Sequence, residues 1–305
     1  QGKVTPQQLS QPLGSGAKVF EIPGLFDDCM KVVETLSEHY PVALLNSKNA
    51  WRILGQESYS YEISQDFDYC LNQIAVVVPI GNAGNITAVM RGFLKFSQVG
   101  IIDTLPKIIG VQSEHADPVF RYYQEPDPKK RKFVPVSARP SVAQAAMIGN
   151  PVSMPRVIQL VNEYNAASGK ENVFFVQTLE QDIMDWELIA NRNGHIACTQ
   201  GGESLAGLAV ALKEGIVTSS EVAVVDATAH ALKFSGFQTL YFERNFAPEF
   251  EITPDPSLIN HPVLMRPAEN IPCPEPGKPL AGDDLKKFVH AVSESIASAL
   301  RFKTD

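Results

Sequence analysis

Val76-Val77-Val78-Pro79-Ile80-Gly81-Asn82-Ala83-Gly84-Asn85-Ile86-Thr87-Ala88 is a β-branched run that passes through two glycines directly into a helical stretch. Strand, short turn and helix in that order make one βα unit. Backbone N–H groups converge at the positive start of such a helix, a place suited to phosphate. Gly81 and Gly84 permit positive φ and close backbone approach, while Asn82 and Asn85 supply neutral amides that hold an oxygen without adding charge. A bare G-x-x-G is equally compatible with a turn whose glycines only allow tight packing. A dinucleotide site would instead want G-x-G-x-x-G in the first βα unit and an acid about 20 positions later, and this spacing does not provide them.

Outward from this unit the same alternation repeats. The spacing predicts strands over 18–22, 42–45, 73–79, 107–111, 172–176 and 221–225. It predicts helices over 6–13, 26–39, 50–66, 86–99, 142–147, 157–168, 179–193, 202–214 and 283–300. Repeated βα units imply an α/β fold with a mainly parallel sheet and helices on both faces. In the helix over 26–39, Phe26, Met30, Val33 and Leu36 form one apolar stripe. The polar, basic stretch from Gln124 to Arg139, with Lys129-Lys130-Arg131-Lys132, reads as an exposed loop. Residues 246 to about 281 are rich in proline and read as an irregular arm before the last amphipathic helix.

Composition narrows the function classes. The chain has 26 Lys and Arg against 34 Asp and Glu, a net charge of −8 that argues against a nucleic-acid partner. With 44% hydrophobic and 20% charged residues it is an ordinary globular chain, which excludes wholesale disorder. Its apolar runs, such as Ile74–Ile80, fall far short of the roughly 18 residues that cross a bilayer. Cys29, Cys70, Cys198 and Cys273 are scattered, so no metal-ligating spacing and no disulfide framework is read, and a cytoplasmic location is expected. Gln1-Gly2-Lys3-Val4 has neither an initiator Met nor the features of a secretory signal, and reads as a truncated end.

Three further clusters carry polar chemistry. In Asn46-Ser47-Lys48-Asn49-Ala50-Trp51-Arg52, Asn46 and Ser47 are placed to cap a helix whose first turn carries Arg52. Such an arginine can fork two N–H donors onto a phosphate or carboxylate, or lie on the surface beside an ordinary cap. Thr199-Gln200-Gly201-Gly202-Glu203 reads as a Gly-Gly turn that presents backbone donors and Glu203, or as plain packing. Asp226 and Thr228 share one face at the carboxyl end of a strand, where they can look into a ligand crevice or cap a helix.

Together these segments resemble threonine synthase, a pyridoxal-phosphate enzyme of fold type II, the tryptophan-synthase-β-like fold. The resemblance rests on Asn46-Ser47-x-Asn49-x-x-Arg52-x-x-Gly55-Gln56, on Pro79-x-Gly81-Asn82-Ala83-Gly84-Asn85-Ile86-Thr87-Ala88, on Ile148-Gly149-Asn150-Pro151 and on Thr228-Ala229-His230-Ala231-Leu232-Lys233. It spans roughly residues 1–240. It implies conversion of O-phosphohomoserine and water to threonine and phosphate, with pyridoxal 5′-phosphate as cofactor. By the same resemblance Gly81, Asn82, Ala83, Gly84 and Asn85 hold the cofactor phosphate. Asn46, Ser47 and Arg52 grip the substrate, with Arg52 on its phosphate, and Thr228 meets the pyridine nitrogen. A homodimer is expected.

The departures set further expectations. The family's Schiff-base lysine lies in a segment before the start of this chain, and neither Lys95 nor Lys233 has its context. The chain alone is therefore expected to be N-terminally incomplete and catalytically inactive, with no catalytic residue of its own. Residues 1–49 are read as the remainder of a smaller mobile domain and 50–305 as the larger cofactor-binding domain with its proline-rich arm and terminal helix. The Thr199–Glu203 segment stands where many relatives have a Glu-Pro-Ala-Ser-like turn. Asp226 is an acid where an apolar or hydroxyl residue is expected, placed to compete for the ring nitrogen.

Overall fold

The β-branched run becomes a strand, Ile74–Pro79, with all six residues buried, as a run flanked by strands on both edges and helices on both faces should be. It belongs to a computed structural model that describes residues 4–24, 26–46 and 48–302. In chain order the elements are α1 (Pro6–Gly14), α2 (Phe26–His39), α3 (Ala50–Gln56), α4 (Ser58–Asp66), β1 (Ile74–Pro79), α5 (Gly84–Gln98), β2 (Lys107–Ser113) and α6 (Pro118–Gln124). There follow α7 (Met154–Ser168), β3 (Val173–Thr178), α8 (Glu180–Arg192), α9 (Thr199–Lys213), β4 (Val222–Val225), α10 (Ser235–Phe242) and α11 (Gly282–Ala299). Short 3-10 turns occur at Gln144–Ala146, Ala231–Lys233 and Pro248–Phe250.

The strands form one sheet in the order β3-β2-β1-β4 with every pair parallel. The expected parallel α/β sheet is therefore present, with β1 inside it. Its period-2 alternation divides the core. Ile74, Val76 and Val78 point with Ile108 and Val173 into a cluster containing Ile86, Val89, Met90 and Phe93 of α5 and Met154, Val157, Leu160 and Tyr164 of α7. Ala75 and Val77 point with Ile109, Val111 and Val176 to the other face, against Ala211 and Val217. There α9 lies so close to the sheet that a Cβ on Gly207 would stand 2.3 Å from a Val111 methyl.

Several expectations need correction. Residues 18–22 and 42–45 are not strands. A strand needs a β-ladder, and no ladder among the described residues runs through these largely exposed stretches. The single helix expected over 50–66 is two helices that meet at Glu57. The break brings the Glu57 carbonyl and Ser60 against Gly92 of α5, where a Cβ would be 2.8 Å from each. The wholly buried Glu57 carboxylate then pairs with Arg91 at 3.3 Å and with Lys95. The helix expected over 142–147 is only the 3-10 turn. Helices α6 and α10 were not expected; Asp117-Pro118 at the start of α6 is the kind of local signal that marks one. The α2 stripe is realised at Met30, which is buried, but Leu36 is exposed.

The chain divides into two units, Gln1–Ile259 and Asn260–Asp305. The sheet lies in the first. The second consists of irregular backbone followed by α11, which begins with Asp283 and Asp284 in its first turn, where acids favour the helix end. Among the described residues no helix is long and apolar enough to cross a membrane.

Candidate active site

At the carboxyl end of β1 the chain turns through Gly81-Asn82-Ala83 and enters α5 at Gly84. The residue that takes the left-handed conformation is Ala83, at φ 61°, rather than either glycine. Gly81 and Gly84 are needed for close approach instead. A Cβ on Gly81 would lie 3.0 Å from the Ala146 Cα and 3.1 Å from the Ala145 oxygen, and one on Gly84 would lie 3.0 Å from Ile53 Cδ1. No side chain caps α5, and its first turn holds no acid. The first amides of the helix therefore present donors with no intrahelical partner at a positive end. The turn is braced from behind: the Asn82 carbonyl accepts from the Ser153 amide at 3.2 Å, and its Oδ1 accepts from the Val152 amide at 3.5 Å. Gly149 of the Ile148-Gly149-Asn150-Pro151 segment packs so tightly that a Cβ would sit 2.0 Å from the Val136 oxygen.

Helix α3 delivers Arg52 to this turn. Its cap is Asn49, which accepts from the Trp51 and Arg52 amides at 2.9 and 3.2 Å, so the capping expected of Asn46 and Ser47 falls to Asn49. The Arg52 Nη1 lies 4.0 Å from where a Gly84 Cβ would stand and 3.5 Å from Gln56 Oε1. Asn46 lines the same cleft. Ser47 lies outside the described residues.

A further part of the wall comes from the end of β4, the neighbour of β1 in the sheet. Asp226 and Thr228 both line the cleft, which is the crevice-facing alternative for this pair. Each oxygen of the Asp226 carboxylate accepts a hydrogen bond: Oδ2 from Asn85 Nδ2 at 2.6 Å and Oδ1 from the Thr228 amide at 3.0 Å. Burial raises its pKa above the usual carboxylate range, opposed by those two hydrogen bonds. Asp226 thus ties the helix-start loop to Thr228. Thr228, at φ 45°, places its hydroxyl 3.3 Å from the Sγ of buried Cys198. Tyr59 reaches the cleft from α4, its hydroxyl pushed up by burial and by the charge of Asp226.

The Thr199–Glu203 segment is the first turn of α9, not a loop. Its glycines serve helix packing, since a Cβ on Gly202 would be 2.3 Å from the Ile183 oxygen of α8. Glu203 is wholly buried and accepts from the Ser113 amide at 2.9 Å. Burial, and then the neighbouring Glu180, raise it far above the usual range, against the Ser113 hydrogen bond. Glu203 is absent from the cleft lining, whereas Gln200 is part of it.

The resulting cleft measures about 1120 Å³ and gathers Asn46, Arg52, Gly81, Asn82, Ala83, Gly84, Asn85 and Thr228. Among the described residues no lysine lines it; Lys95 pairs with Glu57 and Lys233 is exposed. Tyr59 escaped sequence reasoning because nothing local marks it. The donor set suits a phosphorylated aromatic cofactor: uncapped amides with a nearby guanidinium, and a neutral hydroxyl in the same cleft.

The family of pyridoxal-phosphate dependent enzymes matches residues 1–237. A threonine synthase from Methanocaldococcus jannaschii is 34% identical over 233 residues, covering 76% of this chain and 55% of that protein. Threonine synthase 2, chloroplastic, from Arabidopsis thaliana is 32% identical over 243 residues, covering 80% and 45%. The chain thus spans about half the length of these curated relatives. In the solved threonine synthase from Escherichia coli the fold is similar, with a TM-score of 0.62 at 22% identity over 78% of this chain and 53% of that one.

Proposed function

Because the chain belongs to the pyridoxal-phosphate dependent enzymes, we propose that the whole protein is a threonine synthase, releasing phosphate from O-phosphohomoserine and adding water to form threonine. The observation that carries this reading is the convergence in one cleft of the uncapped start of α5, Arg52 and Thr228.

When bound, pyridoxal phosphate supplies an electron sink for charge that develops on the amino acid's carbons. In this reading the amides of residues 81–86 hold its phosphate, and Asn82 and Asn85 add no charge of their own. Arg52 forks its donors onto the substrate phosphate, which both binds the substrate and steadies the leaving group. Asn46 and Ser47 complete the substrate side. The Thr228 hydroxyl meets the pyridine nitrogen, and a neutral partner leaves that nitrogen largely unprotonated. Asp226, engaged by Asn85 and the Thr228 amide, orients both without supplying a proton to the ring. The lysine that the chemistry needs is not among the described residues of the cleft and belongs to the whole protein.

The same reading makes the protein a cytoplasmic homodimer in which residues 1–49 belong to a smaller mobile domain. Cytoplasmic placement is supported by free, scattered cysteines. The test is phosphate release by the whole protein supplied with pyridoxal phosphate and O-phosphohomoserine. Equal amounts of phosphate and threonine are expected. No release, together with turnover of serine, cysteine or another small amino acid, would move the protein to a sister activity. Cofactor binding without any turnover would make it a non-catalytic relative.

A further inference from the structure

A second cluster of chemically capable side chains lies away from that cleft, where the chain leaves β2. Glu114, His115 and Glu251 bring one ligand atom each to within 4.8 Å of one another. His115 is 2% exposed, and its Nδ1 lies 2.5 Å from the Pro140 carbonyl. A carbonyl can only accept, so Nδ1 carries the ring proton and the neutral ring's Nε2 presents a lone pair. That Nε2 has no hydrogen-bond partner although it is buried, and it faces Glu251 Oε2 at 3.7 Å. A lone pair facing the Glu251 carboxylate is repulsive unless something positive, a proton or a cation, stands between them.

We infer that Glu114, His115 and Glu251 form a binding site for a divalent first-row transition ion. A histidine whose other ring nitrogen donates to a backbone carbonyl is the arrangement that fixes an imidazole for a metal. Ligands about 2.0–2.1 Å from a tetrahedral ion stand roughly 3.4 Å apart, close to the 3.7 Å between Nε2 and Oε2. One imidazole and two carboxylates suit Zn²⁺ or Mn²⁺ better than the all-oxygen ions, with water completing the shell. Arg139 holds the other Glu251 oxygen at 2.7 Å, and its amide donates to the His115 carbonyl at 2.9 Å. Oε2 is thereby left to the ion on a fixed frame. An adjoining cleft of about 690 Å³, lined by Glu114, His115 and Arg139, gives a path of entry. Filling the site would clamp the segment after α10 to the end of β2. This inference is independent of the chemistry of the main cleft.

The experiment is a Zn²⁺ titration by calorimetry on the full chain after chelator treatment, with thermal midpoints read in parallel. Cys70→Ser and Cys273→Ser in every sample remove the exposed thiols. The expected result is one saturable equivalent that raises the midpoint, with affinity at least tenfold weaker in Glu251→Gln and in Glu114→Gln. Neither carboxylate is buried, so both variants should fold, and circular dichroism checks that they do. No saturable binding, or undiminished affinity in the Glu114→Gln/Glu251→Gln double variant, would overturn the inference.

Discussion

Replacing Glu187 by glutamine tests a chain of causes that runs from a glycine to a pH profile. Gly202 lets α9 approach α8 until a Cβ on it would stand 2.9 Å from the Glu187 Cβ. That approach removes water from Glu187, which is 1% exposed and whose Oε2 has no hydrogen-bond partner. Burial therefore pushes its carboxyl from the ordinary 4.5 up to about 8. Below pH 4.5 the group is protonated in the folded and the unfolded chain alike, and it contributes no pH dependence. Between 4.5 and about 8 the unfolded chain sheds the proton while the folded chain keeps it, so stability falls as pH rises. The interval of 3.5 pH units, at about 1.4 kcal/mol each, comes to roughly 5 kcal/mol when complete. Glutamine has nearly the same shape and does not titrate, so any cost of its buried amide is the same at every pH. Urea unfolding of wild type and Glu187→Gln, followed by the fluorescence of neighbouring Trp186, should give stability differences that grow in favour of the variant. By about pH 7.5 the growth relative to pH 4.5 should reach about 4 kcal/mol. A difference that stays flat to within about 1 kcal/mol across that range would refute the reasoning.

In the whole protein, Arg52→Ala should raise KM for O-phosphohomoserine by about 10–100-fold, the worth of a charge-assisted hydrogen bond. Arg52→Lys should recover only part of it, as phosphate-release kinetics will show. Asn85→Ala and Asp226→Ala should each weaken pyridoxal phosphate binding and combine less than additively. A coupling of about 1–2 kcal/mol is expected from fluorescence titrations of the double-mutant cycle, because each variant breaks the same 2.6 Å hydrogen bond. Gly207→Ala should destabilise the fold by about 1–3 kcal/mol in urea unfolding, since its methyl would press on a β-branched valine with little room to turn.

How much of this was readable in advance differs from one element to the next. The strand over 73–79, the helix over 86–99 and the phosphate-suited turn between them were legible because a β-branched run, a glycine turn and a helical period are signals carried by adjacent residues. The strands expected at 18–22 and 42–45 are not formed, because a local run does not show whether a ladder partner lies elsewhere. The cap of α3 was expected at Asn46 and Ser47 and falls at Asn49, since several Asn and Ser side chains in a row offer the same chemistry. The Thr199–Glu203 segment read as a donor-presenting turn or as plain packing; in the fold it is packing, since the Gly-Gly pair lets two helices touch and Glu203 is carried into the core. Asp226 was noticed as an anomaly, but its occupation by Asn85, 141 residues away, could not be foreseen.

By itself, then, the order of residues determined the βα alternation, the parallel sheet and the amide-rich turn after β1, because these depend on periodicity and local backbone freedom. Tertiary structure alone decided that Ala83 and not a glycine takes the left-handed turn, that Asp226 joins Asn85 to Thr228, and that His115 meets Glu251. Those outcomes follow from strand register and helix approach, which bring distant residues within hydrogen-bond reach and strip water from whatever lies between.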